Sequence, residues 1–173
     1  MTLPFHLRHA VASDLDAILE LERATDLAPH WPPTAYADII KLEDPGAPSI
    51  PRSMRSGWEN TTQRCLFIAV KDNLLAGFAV GLLHSPASNR IAELESVAVS
   101  ANARRAGIGR ALCQAIFDWC CSQGASEVIL EVRANSAAAV ALYTSLGFTL
   151  STRRPRYYRD PEDDALLLRL VLQ

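Results

Sequence analysis

Residues 104–109 read Arg-Arg-Ala-Gly-Ile-Gly and lie between an apolar run at 91–99 and an amphipathic run at 108–123. Gly107 and Gly109 allow a tight turn and a close approach of backbone to ligand. A helix starting directly after them leaves its first N–H groups without intrahelical partners, which suits a phosphate. Arg104, Arg105 and Arg110 add positive charge at the same place, with Ala106 and Ile108 completing the loop. The stretch reads as a pyrophosphate cradle, although Gly-x-Gly also serves plain structural turns. A Walker loop is excluded, because Gly109 is followed by Arg110-Ala111 rather than Lys-Ser/Thr. A dinucleotide fingerprint is excluded too, because Leu112 stands where a third small residue is required.

Downstream, residues 130–148 read Leu-Glu-Val-Arg-Ala-Asn-Ser-Ala-Ala-Ala-Val-Ala-Leu-Tyr-Thr-Ser-Leu-Gly-Phe, and a Tyr157-Tyr158 pair follows. Together with the Arg-x-x-Gly-x-Gly loop, this resembles the GNAT superfamily of acetyl-CoA-dependent N-acetyltransferases. Within it, the chain looks most like the bacterial ribosomal-protein-alanine N-acetyltransferases, over about residues 91 to 172. The resemblance implies a mostly antiparallel central sheet with a parallel pair in the middle and helices on both faces. It also implies acetyl-CoA as co-substrate, no metal, and direct transfer without an acyl-enzyme. The backbone of Val97, Ala98 and Val99 would pair with the pantetheine arm, and 105–110 would hold the pyrophosphate. In the resembling group the acceptor is the N-terminal alanine of protein eighteen of the small ribosomal subunit.

Acetyl transfer to an amine needs a polarised thioester carbonyl, a base for the amine and an acid for the departing thiolate. A protein N-terminal amine has a pKa of about 8 and a thiol about 8.5, so a carboxylate and a phenol suffice. Glu131 falls near the end of an expected strand at 128–132, and the resemblance makes it the general base. Read alone, it could equally be a strand residue paired with an arginine. Tyr143 falls one turn before the end of a helix; the resemblance makes it the acid, while a core aromatic is the plain alternative. Glu95 competes with Glu131, since many superfamily members place their base on that strand. The alanine-specific group usually has an apolar or aromatic residue there, so Glu95 is a departure that points to a small amine or a lysine as alternative acceptor. The family's usual asparagine falls at Ser136, while this chain has Asn135 one position earlier; either can cap the helix or touch the coenzyme. Tyr157 and Tyr158, interleaved with Arg153, Arg154, Arg156 and Arg159, form a basic loop that would border the acceptor cleft. Trp31 belongs either to the packing of the first two helices or to the acceptor wall.

These groups need a scaffold, and 173 residues suit one domain with a real core. Alternation places a first strand at 3–8, and Ser13 offers an N-cap to a helix carrying Leu15, Ile18, Leu19 and Glu22. A short helix at 34–42 precedes a Pro- and Gly-containing long loop at 43–63. Runs at 66–70 and 74–83 form a hairpin around Lys71-Asp72-Asn73, and a turn at 85–89 leads to the strand at 91–99. Ile108, Leu112, Ile116 and Trp119 form one helix stripe that ends at Gly124. A second helix ends at Leu146 with Gly147 beyond it, and a final strand spans 166–172. Alternating strands and helices in this half predict a mixed α/β sheet. A net charge of −2 gives no global reason for nucleic-acid binding. No apolar run reaches membrane-span length, and four cysteines without metal spacing fit reduced thiols in a cytoplasmic protein, monomeric or homodimeric. A non-catalytic acyl-CoA-binding module is the rival of another class, against which both proton-handling positions are filled.

Overall fold

The computed structural model describes residues 4–25, 30–43, 62–84 and 90–172. The expected loop at 43–63 and the turn at 85–89 lie almost wholly or wholly outside them. Seven strands form one sheet: β1 (His6–His9), β2 (Gln63–Lys71), β3 (Leu74–His84), β4 (Ile91–Val99), β5 (Glu127–Arg133), β6 (Thr149–Arg159) and β7 (Glu162–Val171). Their order is β1-β2-β3-β4-β5-β7-β6. Every neighbouring pair is antiparallel except β4 and β5, the central parallel pair. Among the described residues the α-helices are α1 (Leu15–Arg23), α2 (Pro33–Glu43), α3 (Ile108–Ser122) and α4 (Ala137–Ser145).

Each face of the sheet has its own apolar layer. On one, Ile18 and Leu19 of α1 and Tyr36, Ile39 and Ile40 of α2 pack on Leu66, Ile68, Phe78, Val80 and Ala98. On the other, Ile108, Leu112, Ile116 and Phe117 of α3 pack on Ala79, Leu83, Leu94, Val128 and Leu130. The helix lies close because two strand positions carry no side chain. A Cβ at Gly81 would sit 2.9 Å from Ile116 Cγ2, and one at Gly77 would sit 2.8 Å from the Ala98 carbonyl oxygen. Trp119, expected on the α3 stripe, is only partly buried at its margin.

Two expectations need correction. Ser13 does not cap α1: a 3-10 turn over Ala12–Asp14 precedes the helix, and the Asp14 carboxylate takes the job of ordering the entry. It accepts the Val11 N–H at 2.8 Å and the Arg8 guanidinium at 2.6 and 2.9 Å, a charge-assisted set no hydroxyl matches. The segment read as a basic loop is the outer part of β6, antiparallel to β7 at the sheet's edge. Its residues are nearly all exposed, so no apolar alternation marks it as a strand. The β2–β3 hairpin is as expected, with Asp72 and Asn73 at φ 51° and 61°, the left-handed pair of a two-residue turn.

Candidate active site

The site begins where the parallel pair comes apart. β4 and β5 are in register only at Ile91↔Glu127, Ala92↔Val128 and Glu93↔Ile129. Beyond these pairs both strands continue, but they no longer bond to each other. Glu95 marks the same place on the other side of β4, for Val80 pairs with Ser96 while Gly81 pairs with Leu94. Glu95 is therefore the extra residue of a β-bulge. Its effect shows in the packing: Leu94 belongs to the α3 layer and Ala98 to the α1–α2 layer.

Two cavities occupy the opening. One, about 410 Å³, is bounded by Leu94, Glu95 and Ser96 of β4, Glu131 of β5, and Tyr158 of β6. The other, about 560 Å³, is bounded by Val97, Ala98, Val99, Arg105, the start of α3 and the Leu142 face of α4. Thr25, Val97, Arg104, Ala138, Ala139 and Tyr143 line both, so the two spaces meet around Tyr143.

The larger cavity contains the glycine loop. Arg105 and Gly107 take φ 65° and 82°, and Gly107 is the residue immediately before α3. The first intrahelical bond runs from Ala111 N to Gly107 O at 3.0 Å, so the N–H groups of Ile108, Gly109 and Arg110 are left for a ligand. Gly109 permits close passage of α4, since a Cβ there would meet Leu142 Cδ2 at 3.3 Å. The arginines divide their work. Arg104 Nε reaches the Val99 carbonyl at 3.3 Å, whereas Arg110 Nη2 donates to the carbonyl and hydroxyl of Ser145 at 2.9 Å each. Arg110 thus ties the start of α3 to the end of α4. Ala106 packs at the edge of the α3 layer and lies off the cavity wall. Together the cavity, the N-terminal N–H groups, two arginines and the β4 edge without a β5 partner fit a coenzyme diphosphate with an extended arm.

Both carboxylates face the smaller cavity, each held by an arginine from another strand. Glu131 Oε2 accepts Arg154 Nη1 at 2.9 Å. Glu95 is gripped through both oxygens by Arg64, at 2.8 and 2.9 Å, and its side chain is only 11% exposed against 24% for Glu131. Tyr143 is half-buried against Phe148, at 5.8 Å between ring centres, and its hydroxyl has no hydrogen-bond partner among the described residues. Burial first, then the neighbouring Cys113 sulfur, pushes its phenol above the ordinary range. Ser136 lines the cleft, while Asn135 is exposed outside it and its backbone N–H bonds Asp163.

Tyr157 and Tyr158 part company. Tyr158 lines the cleft under the Arg133 guanidinium, which lies 4.1 Å from its ring centre, whereas Tyr157 is exposed beneath Arg154. Trp31 sits elsewhere, on a third cavity of about 500 Å³ with Pro32, Ala35, Ile39 and Arg64. Its backbone N–H donates to the buried Glu22 carboxylate, which also accepts the Tyr36 hydroxyl at 2.6 Å. Thr25, Arg64 and Arg133 also line these cavities, and of the three only Arg133 lies within the 130–148 motif, so no local pattern marks the other two. None of the four cysteines lines these spaces, and burial pushes Cys113 and Cys120 up to about 12. Among the described residues no cluster of three His, Cys, Asp or Glu could hold a metal, and no helix is long and apolar enough to cross a membrane.

Known proteins are similar to this chain in sequence and fold. The chain is 34% identical to the bS18-alanine N-acetyltransferase of Salmonella typhimurium LT2 over 129 residues, 73% of this chain and 84% of that one. With the Escherichia coli K12 counterpart identity is 42% over 83 residues, 47% of this chain, and the match spans only 56% of that relative's length. The crystal structure of the E. coli ribosomal-protein-S18-alanine N-acetyltransferase matches with a TM-score of 0.69 at 27% identity, covering 98% of this chain and 94% of that one. Residues 21–148 match the acetyltransferase (GNAT) family model, and to that family the chain belongs.

Proposed function

We propose that this chain is an N-acetyltransferase that moves acetyl from acetyl-CoA to a protein N-terminal amine, with an N-terminal alanine of a small-subunit ribosomal protein as the leading acceptor. The observation that carries the reading is the meeting of two cavities at Tyr143, with a cradle for diphosphate on one side and Glu131 on the other. Acetyl-CoA supplies the acetyl thioester. The N–H groups of 108–110 with Arg104 and Arg105 hold its diphosphate, and the β4 edge at 97–99 aligns its arm as an added strand would. A backbone N–H of that edge donates to the thioester oxygen as charge grows there, the largest expected contribution to rate.

Glu131 takes the proton of the amine as nitrogen bonds the carbonyl carbon and the C–S bond breaks. Its Oε1 is outside the Arg154 bond, whereas both oxygens of Glu95 are engaged, which favours Glu131 as base. Tyr143 gives its proton to the sulfur. Burial raises the pKa of that phenol and so holds its proton until negative charge grows on the departing sulfur. Tyr158 and Arg133 flank the incoming chain.

A second reading keeps the chemistry and takes a small-molecule amine or a lysine side chain, favoured by the acidic Glu95 in the cleft wall. The test is thiol release from acetyl-CoA against peptides beginning with Ala, Ser or Met, an internal-lysine peptide and several small amines. Preference for the Ala peptide, abolished by Glu131→Gln, supports the first reading. Turnover confined to lysine or small amines replaces it with the second. Binding of acetyl-CoA without thiol release for any acceptor would make the chain a coenzyme-binding module.

A further inference from the structure

Arg64 and Glu95 form a bond that the transfer chemistry above does not use. Arg64 lies on β2 and Glu95 on β4, with β3 between them: Arg64 is level with Leu82, and Leu82 is level with Glu93. The ion pair therefore crosses a whole strand. It does so on the face covered by α1 and α2, where the guanidinium lies 5.9 Å from the Trp31 ring centre. Both Glu95 oxygens are engaged, in the fork geometry that only arginine offers a carboxylate.

The residue held is the one that matters most for the shape of β4. Glu95 is the bulge, the first positions after it line both cavities, and β5 has already parted from β4 two residues earlier. A strand that loses its partner on one side and carries an extra residue on the other has few restraints of its own. Among the described residues, the backbone of β4 from Glu95 to Val97 pairs with β3 alone, so the grip of its side chains counts.

We propose that Arg64 is a positioning residue for acetyl transfer: by clamping Glu95 across β3 it fixes the bulge that aims the β4 backbone into the cleft. This rests on the acetyltransferase reading given above. It makes Glu95 a structural anchor of the reacting geometry rather than the base. It also links the Trp31 cavity to the bulge, because Arg64 is a wall of that cavity and the grip on Glu95 at once.

The experiment compares the wild type with Arg64→Gln, Arg64→Lys, Glu95→Gln and the Arg64→Gln/Glu95→Gln double variant. With the acceptor peptide that turns over, each Gln variant should lose about 10- to 100-fold in kcat, the cost of a misplacement of about an ångström. KM for acetyl-CoA should stay within about twofold, the double variant should be no worse than the poorer single one, and lysine should restore part of the rate. Hydrogen exchange of backbone amides gives a readout that needs no turnover. Exchange at 94–97 should quicken in Arg64→Gln while β7 stays protected as in the wild type. Unchanged exchange at 94–97 overturns the clamp, whether or not any acceptor is turned over. So does an Arg64→Gln enzyme with wild-type kcat beside an inactive Glu95→Gln enzyme, which would make Glu95 the base. A wild type that is silent with every acceptor, yet whose Arg64→Gln variant shows the local quickening, sinks the acetyltransferase reading and leaves the clamp standing.

Discussion

α3 and α4 each follow a strand of the central parallel pair, lie on the same face of the sheet and start beside the cleft, yet they are packed in opposite ways. α3 buries Ile108, Leu112, Cys113, Ile116, Phe117 and Cys120, and two glycines of β3 are cleared to receive it. α4 is more apolar on average, but none of its residues is fully buried. Its Ala138, Ala139, Leu142 and Tyr143 face cavity on one side and meet the α3 layer only in part. Apolar surface on α3 is matched within the chain, so it serves stability. Apolar surface on α4 faces cavity among the described residues, which is where the proposed function puts coenzyme and acceptor. Hydrophobicity alone does not separate a structural helix from a wall of a site; what lies opposite does.

That contrast can be broken by substitution. Ile116→Ala should cost about 3 kcal/mol of stability in urea unfolding, by lost burial and the cavity left behind, with acetyl-CoA affinity of the folded protein unchanged. A cost under about 1 kcal/mol would mean that α3 is no tighter than α4. Tyr143→Phe is the mirror case. It should lower kcat about 100-fold, equivalent to about 2.7 kcal/mol of barrier, while the unfolding midpoint holds, because the hydroxyl has no partner to lose among the described residues. A matching loss of stability would put Tyr143 back among structural aromatics.

Gly77→Ala sharpens the α3 side. The new methyl would meet the Ala98 carbonyl at 2.8 Å and Leu112 at 3.1 Å, so about 2 kcal/mol should be lost in thermal unfolding. The smallest effect lies outside both helices. Asp14→Asn, which removes the Arg8 pair, should cost about 1 kcal/mol at neutral pH. Hydrogen bonding from Arg8 holds the Asp14 carboxyl below its ordinary range, so its contribution is full above the unfolded value and disappears as pH falls through the folded one. The gap between wild type and variant should therefore only begin to narrow below about pH 4 and close once pH has fallen through the lower folded value; a gap undiminished beyond that point would assign the effect to packing.

The sequence made some of this legible and concealed the rest for physical reasons. The strand at 91–99 and the helix from 108 are read correctly because both carry strong periodicity and end at glycines or turns. β6 is concealed because an edge strand exposed on both faces has no apolar rhythm, and Pro155 within it looks like a break. Glu95 stands out as a residue in the right place, but nothing local says that it is a bulge or that Arg64 reaches it from another strand; only pairing with β3 defines either. Arg110 is legible as positive charge near a glycine loop, while its bond to Ser145 depends on α4 coming alongside. Tyr157 and Tyr158 look equivalent in sequence, and the kink in β6, where Arg156 takes φ 51°, gives only the second a place in the cleft.

The thiols of α3 have a use of their own. Cys113 and Cys120 are shut in the apolar layer, as is Cys65 on β2, and Cys121 alone is exposed. A maleimide dye added to the native protein should mark that one residue. It would sit near the far end of α3, about 20 Å along the helix from the glycine loop. The probe would be close enough to report coenzyme arrival by energy transfer and distant enough not to obstruct it. The same exposure sets a practical floor: any assay that counts liberated thiol with a disulfide reagent will read one equivalent per chain before the first turnover.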